Sequence, residues 1–136
     1  MDVNVIRNDP EAIRTMLRNR TYSEEVLDSF LELDAAWRGV VEEGNRLRKQ
    51  RNEASVRISK LKGPEKAEAV AEMKSVASRI GELESQAGRL EAERDELILL
   101  IPNIPHESVP VGDCYDKNRM VMEHGKVRRF DFQPKD

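Results

Sequence analysis

Aromatic residues are scarce in this sequence: phenylalanine, tyrosine and tryptophan make up only 4% of its 136 residues, whereas charged residues make up 36%. Such a composition cannot fill a wide globular core, but it suits helices that each bury one narrow apolar stripe. A formal net charge of −3 excludes a general attraction to nucleic acid. Any RNA binding must therefore come from local clustering of basic side chains.

Cysteine and long apolar runs are also lacking. Cys114 is the only cysteine, which excludes an internal disulfide and fits a reducing cytoplasm. No apolar run approaches the ~20 residues needed to span a bilayer, and the N-terminus carries no signal-peptide segment. We therefore expect a soluble, cytoplasmic protein, or a piece of one, that has no membrane partner.

The sequence has no recognisable constellation of catalytic or metal-binding residues. His106 and His124 are isolated, without a second histidine or cysteine at metal-ligand spacing. Cys114 has no neighbours that would make it a nucleophile, and no glycine-rich phosphate loop occurs. We interpret His106, which lies between a proline and a glutamate, as a contact within a linker. The chain itself is expected to contain no catalytic residue, cofactor or metal site.

Helical signals dominate the first hundred residues. Asp9-Pro10-Glu11 predicts the start of a short helix, with an N-cap acceptor, proline at the first position and an acid in the first turn. From Ser23, a plausible N-cap, an apolar seam then alternates steps of four and three. Its positions are Val26, Phe30, Leu33, Trp37, Val40, Gly44, Leu47, Arg51, Ala54, Ile58 and Leu61.

A second seam follows the sequence Lys62-Gly63-Pro64, in which glycine can adopt positive φ and proline can begin a helix. Its positions are Ala69, Met73, Val76, Ile80, Leu83, Ala87, Leu90, Arg94, Leu97 and Ile101. Two heptad segments of similar length around a tight turn predict an antiparallel hairpin about 55–60 Å long, at ~1.5 Å per residue. This register places Trp37 near Leu90, and Asp34 near Arg94.

The predicted fold class is therefore all-α: a long antiparallel two-helix coiled-coil hairpin with a short N-terminal helix. Residues 1–101 form this arm. Residues 102–136 form an irregular, proline-containing tail, because Pro102, Pro105 and Pro110 exclude a continuous helix. Within the tail, residues 120–122 and 127–132 fit either short edge strands or an extended linker. The tail ends without closing a new unit, so we expect a longer parent protein.

Basic residues cluster on the first long helix. Between Gly44 and Lys62 there are seven basic residues and one acid, Glu53, whereas the preceding stretch from Ser23 has seven acids and one base. Four of the basic residues share an arc of roughly 80° at 100° per residue, and such a stripe can follow a phosphate backbone. The candidate RNA-binding residues are Arg46, Lys49, Arg57 and Lys60 of this arc, together with Arg48, Lys62, Lys74 and Arg79.

Charge alone leaves a second interpretation open. Helical hairpins commonly carry acids on one helix that pair with bases on the other, so the same residues also fit solvated faces of a coiled coil. Glu53 lies inside the basic arc, either as an ion-pair partner of Lys49 and Arg57 or as a gap. The two seam arginines, Arg51 and Arg94, fit buried stems with charged ends that reach water.

The order of these features resembles the bacterial and archaeal seryl-tRNA synthetases. The resemblance covers the whole chain and includes Val5 to Glu11, Leu31 to Asp34, Arg51 to Glu53 and Phe130 to Asp136. Its most specific part follows the second long helix, in the linker before the catalytic domain. That string is Leu99-Leu100-Ile101-Pro102-Asn103-Ile104-Pro105-His106-Glu107-Ser108-Val109-Pro110-Val111-Gly112.

The resemblance implies a function that spacing alone does not give. In this family the arm clasps the long variable arm of serine tRNA across a homodimer, and a class II catalytic domain attaches serine using ATP and Mg²⁺. None of the class II motifs is present in this chain. We therefore expect a tRNA partner, a dimeric parent enzyme, and a chain that is itself mainly monomeric.

Two other classes of protein fit a helical hairpin. A chaperone-like hairpin would hold clients with an apolar tip, but the tip from Lys60 to Lys66 is basic. A purely structural coiled-coil module would need a second sustained apolar stripe, which the sequence does not provide. A salt-dependent gel shift with tRNA would separate the main hypothesis from both.

The missing catalytic motifs give the first testable prediction. The chain, purified free of host synthetase, should catalyse no serine-dependent exchange of pyrophosphate into ATP, because it has no nucleotide-binding or nucleophilic constellation. Exchange above that of a buffer control would contradict this prediction.

Overall fold

The computed structural model describes residues 1–112, 114–126 and 130–133. Four α-helices occur in this part of the chain: α1 (Val3–Asn8), α2 (Pro10–Asn19), α3 (Glu25–Ile58) and α4 (Pro64–Leu100). A single 3₁₀ turn (Tyr115–Lys117) follows in the tail. Helices α3 and α4 pack against each other along their length as an antiparallel pair. The predicted all-α hairpin is confirmed.

The N-terminus contains two short helices where the sequence analysis predicted one. The carboxylate of Asp2 accepts a hydrogen bond from the amide of Asn4 at 2.8 Å and so caps α1. Asp9 ends α1 and caps α2 by accepting from the amide of Ala12 at 2.9 Å, and proline occupies the first turn of α2. The sequence pattern predicted the start of α2 but not α1, which is only six residues long.

Both seams occupy the contact face between α3 and α4. Every predicted seam position is buried or partly buried, whereas most other positions of the two helices are exposed. Helix α3 begins two residues after Ser23, whose hydroxyl accepts from the amide of Glu25 at 3.2 Å. It ends at Ile58, slightly earlier than predicted, because the chain tightens there into i→i+3 hydrogen bonds at Lys60 and Leu61.

Gly63 makes the hairpin turn possible. Its φ of 67° and ψ of −149° lie in a region that is essentially restricted to glycine. Pro64 follows as the first residue of α4, where its missing amide hydrogen removes no helical hydrogen bond. The turn at Gly63-Pro64 is therefore the one the sequence predicted.

The large side chains are concentrated at the open end of the hairpin. There α1 and α2 cover the start of α3 and the end of α4, forming the only sizeable apolar cluster in the described residues. Its buried members are Ile6, Ile13, Met16, Leu17, Leu27, Phe30 and Ile101. The rest of the arm has only the narrow seam, so the molecule is a rod anchored on a small core.

A buried carboxylate ties this core to the rod. Asp34 of α3 is 1% exposed and accepts hydrogen bonds from Arg7 of α1 (Nε, 2.8 Å) and Arg38 (Nε, 3.1 Å). Arg94 of α4 lies 3.8 Å away, as the predicted register requires, and its guanidinium stacks 4.6 Å from the centre of the Trp37 ring. One carboxylate therefore connects three helices.

The tail has little regular structure. Residues 120–122 form no strand, and neither do 130–132. The rest of the second proposed strand, 127–129, lies outside the described residues. At its start the tail runs beside α2, where Arg20 donates to the carbonyl oxygen of Asn103 at 3.0 Å. No helix in the described ranges is both long and apolar enough to cross a membrane.

The Asp34 cluster predicts a large, pH-dependent loss of stability on substitution. Asp34→Asn removes the buried carboxylate that accepts hydrogen bonds from Arg7 and Arg38, which should lower the free energy of unfolding by about 3 kcal/mol, the lower end for buried pairs. Arg7 and Arg38 reach water, which limits the cost. Asp28→Asn is the control, since Asp28 pairs with Arg14 at the surface (2.7 Å) and should lower the free energy of unfolding far less.

The sign of the pH dependence follows from the same contacts. Hydrogen bonds from Arg7, and then attraction to Arg38 and Arg94, hold the pKa of Asp34 below its usual range. The stabilisation is therefore complete above the unfolded pKa of ~3.9 and is lost as pH falls through the lowered folded value. Urea titrations from pH 6 to pH 2 should show this loss in the free energy of unfolding of the unmodified chain, and a smaller loss for Asp34→Asn. Parallel pH curves would contradict the assignment.

Candidate nucleic-acid interface

The eight candidate basic residues lie in the half of the hairpin nearest the turn. Arg46, Arg48, Lys49 and Arg57 are on α3, and Lys74 and Arg79 are on α4. Lys60 and Lys62 lie past the end of α3, in the turn itself. Of the four residues of the predicted arc, Arg46, Lys49 and Arg57 therefore lie on α3, whereas Lys60 lies in the turn.

Three of the eight candidates are already paired with carboxylates. Arg46 donates to Glu43 one turn earlier (Nη2 to Oε2, 2.6 Å), and Arg79 donates to Glu82 (2.8 Å). The partner of Arg48 lies on the opposite helix and is Glu84, at 2.7 Å. Such pairs are expected if these residues form solvated faces of a coiled coil. They leave the three arginines less available to a phosphate.

The other five candidates are exposed and have no carboxylate within 4.0 Å among the residues that the structure describes. They are Lys49, Arg57, Lys60, Lys62 and Lys74. Glu53, also exposed, makes no ion pair with Lys49 or Arg57 in this part of the chain, so it interrupts the basic face instead of neutralising it. Unpaired cations are therefore present on α3, in the turn and on α4.

The two seam arginines behave differently from each other. Arg94 is buried, faces Asp34 and is bound to Asp95 at 2.8 Å, so its role is in the fold. Arg51 is partly buried at the helix contact and forms no ion pair within the described ranges. Its guanidinium therefore adds positive charge to the turn half of the arm.

Chemistry beyond charge is limited. Within the described residues no three histidine, cysteine or acidic side chains come together as a metal site. His106 lies in an exposed turn, where the amide of Ser108 donates to its Nδ1 at 3.2 Å and the Ser108 hydroxyl lies 2.9 Å from the same atom. Cys114 is exposed. The contacts of His106 are local to this turn, and its interpretation as a linker residue stays a prediction.

In its fold and charge the chain is a helical-hairpin arm that carries exposed, unpaired basic residues beyond a small anchoring core. The family is given by comparison with known proteins. The chain belongs to the family of the seryl-tRNA synthetase N-terminal domain, whose family model matches residues 1–105.

Similar proteins agree with this family across the tail as well. The serine–tRNA ligase of Listeria innocua is 40% identical over 138 residues, covering 99% of this chain and 32% of that protein. The ligase of Methanosarcina barkeri is 37% identical, with coverages of 99% and 32%. The chain therefore spans about a third of the length of these relatives.

Solved structures share the fold. Seryl-tRNA synthetase from Pyrococcus horikoshii, complexed with ATP, superposes with a TM-score of 0.80 at 37% identity, covering 87% of this chain and 27% of that one. The cytoplasmic serine–tRNA ligase of Naegleria fowleri, in complex with AMP, gives 0.74 at 30% identity, with coverages of 93% and 28%.

Proposed function

We propose that this chain is the tRNA-binding arm of a serine–tRNA ligase, clasping the long variable arm of serine tRNA while the parent enzyme attaches serine. The observation that supports this most directly is the presence of five exposed, unpaired cations in the turn half of a rod whose family is that of seryl-tRNA synthetases. Residues 1–101 are the arm, and residues 102–136 are the linker toward the catalytic domain.

A rod with exposed cations suits RNA better than it suits a folded protein partner. An A-form stem offers phosphates and 2′-hydroxyls along its surface, while its base edges in the deep major groove are hard to reach. Lysine and arginine on a helical face bind phosphates with little regard for base sequence, and each contact releases counterions. Selection of serine tRNA therefore depends on the shape of its long variable arm.

Chemistry belongs to the parent enzyme in this proposal. ATP and Mg²⁺ serve a class II catalytic domain, in keeping with the ATP and AMP complexes of the two solved relatives. The parent is a cytoplasmic homodimer whose contacts lie mainly in that domain, so this chain alone is monomeric. Sedimentation showing a tight dimer of the chain at micromolar concentration would count against that part of the proposal.

A chaperone-like hairpin remains the alternative, and exposed apolar side chains are the feature to weigh. Near the turn only Val56 and Val70 are large, apolar and at least half exposed in the described part of the arm. Two separate valines are ordinary for a protein surface. Binding to an unfolded client that is insensitive to salt would favour this alternative over RNA.

The unpaired cations predict a specific loss of RNA affinity. The triple variant Lys49→Gln, Arg57→Gln, Lys60→Gln should bind serine tRNA at least ~10-fold more weakly at low salt. The slope of log affinity against log salt should also fall in magnitude by up to ~0.9 for each lost phosphate contact. Glutamine has nearly the helix propensity of lysine and arginine, so circular dichroism should be unchanged.

A matched variant controls for net charge. The variant Lys117→Gln, Arg119→Gln, Lys126→Gln also removes three positive charges, but from exposed positions in the tail. It should bind serine tRNA nearly as tightly as the unmodified chain does. Equal losses in both variants, or no loss in either, would mean that the basic face of the arm does not bind RNA. Gel shifts across 50–200 mM salt measure both quantities.

A further inference from the structure

An ion-paired belt crosses the hairpin near its middle, at the inner end of the turn half. The belt consists of the three pairs Arg46–Glu43, Arg48–Glu84 and Arg79–Glu82. It includes one pair on α3, one on α4 and one that joins the two helices. At 1.5 Å per residue, it lies roughly 20–30 Å from the turn. The pairs are therefore one feature of the rod at one level, to which we refer as the mid-arm belt.

The belt separates two regions of opposite unpaired charge. On the turn side, the cations without an ion pair in the described residues are Lys49, Arg51, Arg57, Lys60, Lys62, Lys66 and Lys74. The unpaired acids there are fewer: Glu53, Glu65, Glu68 and Glu72. On the other side of the belt the unpaired acids of the two helices are Glu25, Glu32, Glu42, Glu93 and Glu96, against the single unpaired cation Arg89.

The belt arginines are held by neighbours that cannot move far away. Glu43 and Glu82 are each three residues from their arginine on the same helix, and Glu84 faces Arg48 across the seam. A phosphate that displaces one of these carboxylates still meets its negative charge within a few ångströms. Like charges brought together in this way oppose binding. The unpaired cations beyond the belt have no carboxylate within 4.0 Å in the described residues, so this opposition is weaker there, even beside Glu53.

We propose that Glu43, Glu82 and Glu84 set the inner limit of the RNA-contacting surface, by holding three arginines away from phosphates. These carboxylates are specificity-determining, because they confine RNA to the turn half of the arm. The inference rests on the proposed RNA-binding function and adds a boundary to it. It also accounts for why candidate basic residues of the same helical face, such as Arg46 and Lys49, differ in their availability.

Neutralising the belt carboxylates tests the proposal. In the 136-residue chain, Glu43→Gln, Glu82→Gln, Glu84→Gln should release three arginines and tighten binding of serine tRNA at least ~10-fold at low salt. The salt slope should become steeper by roughly 1–3, since each new phosphate contact adds about 0.9. Exposed pairs stabilise a protein little, so the helical content should be unchanged.

The matched control removes the same charge without releasing an arginine. The control variant is Glu42→Gln, Glu93→Gln, Glu96→Gln. These three exposed glutamates lie beyond the belt, away from the turn, and have no ion pair in the described part of the chain. This variant should leave the salt slope unchanged. Equal steepening in both variants would overturn the proposal, because overall charge would then explain the effect.

Two further outcomes keep the test decisive. If the unmodified 136-residue chain binds no serine tRNA, the proposed function is wrong and so is the proposed inner limit of the RNA-contacting surface. If the unmodified chain binds serine tRNA and the belt variant shows the same salt slope, only the proposed inner limit of the RNA-contacting surface is wrong. Glu43→Gln alone guards against disturbed helix packing, because its pair lies within α3. It should steepen the slope by up to ~0.9.

Discussion

The narrow apolar seam between α3 and α4 is the constraint on which the rest of this structure depends. With so few aromatic side chains, the chain can bury a continuous line of medium-sized residues but cannot fill a second layer. Two helices that share one line of contact form a rod, and a rod leaves most of its surface to solvent. Charged side chains can therefore occupy that surface. The single thick region, where α1 and α2 cover Phe30 and Leu27, anchors the rod at one end.

Buried polarity fixes how the rod is anchored. Asp34 lies on α3, one turn from Phe30. It accepts hydrogen bonds from Arg7 of α1, and Arg94 of α4 lies 3.8 Å from its carboxylate. Apolar contacts alone would allow the helices to slide, whereas a carboxylate shared by guanidinium groups is satisfied in one register only. The Trp37 ring beneath Arg94 adds a flat surface that holds the guanidinium in place.

Periodicity predicted the long helices, their seam, the Gly63 turn and the approach of Arg94 to Asp34, because these depend on local spacing and antiparallel geometry. Helix α1 was missed because six residues hold too little of a repeat, although Asp2 supplied a capping signal. The basic residues of the arm were identified, but their pairing was not. Whether Arg48 meets Glu84 depends on how two surfaces face each other across the hairpin, which the spacing within one helix does not specify.

The proposal that RNA contacts the turn half of the arm can be checked by site-specific photocrosslinking. A photoreactive residue is placed singly at Glu53 or Glu32, two exposed glutamates of α3 on either side of the mid-arm belt. Each variant is then irradiated with serine tRNA at low salt. If RNA binds the turn half, crosslinked tRNA should form from position 53 and little should form from position 32. Crosslinking mainly from position 32, or equally from both, would contradict it.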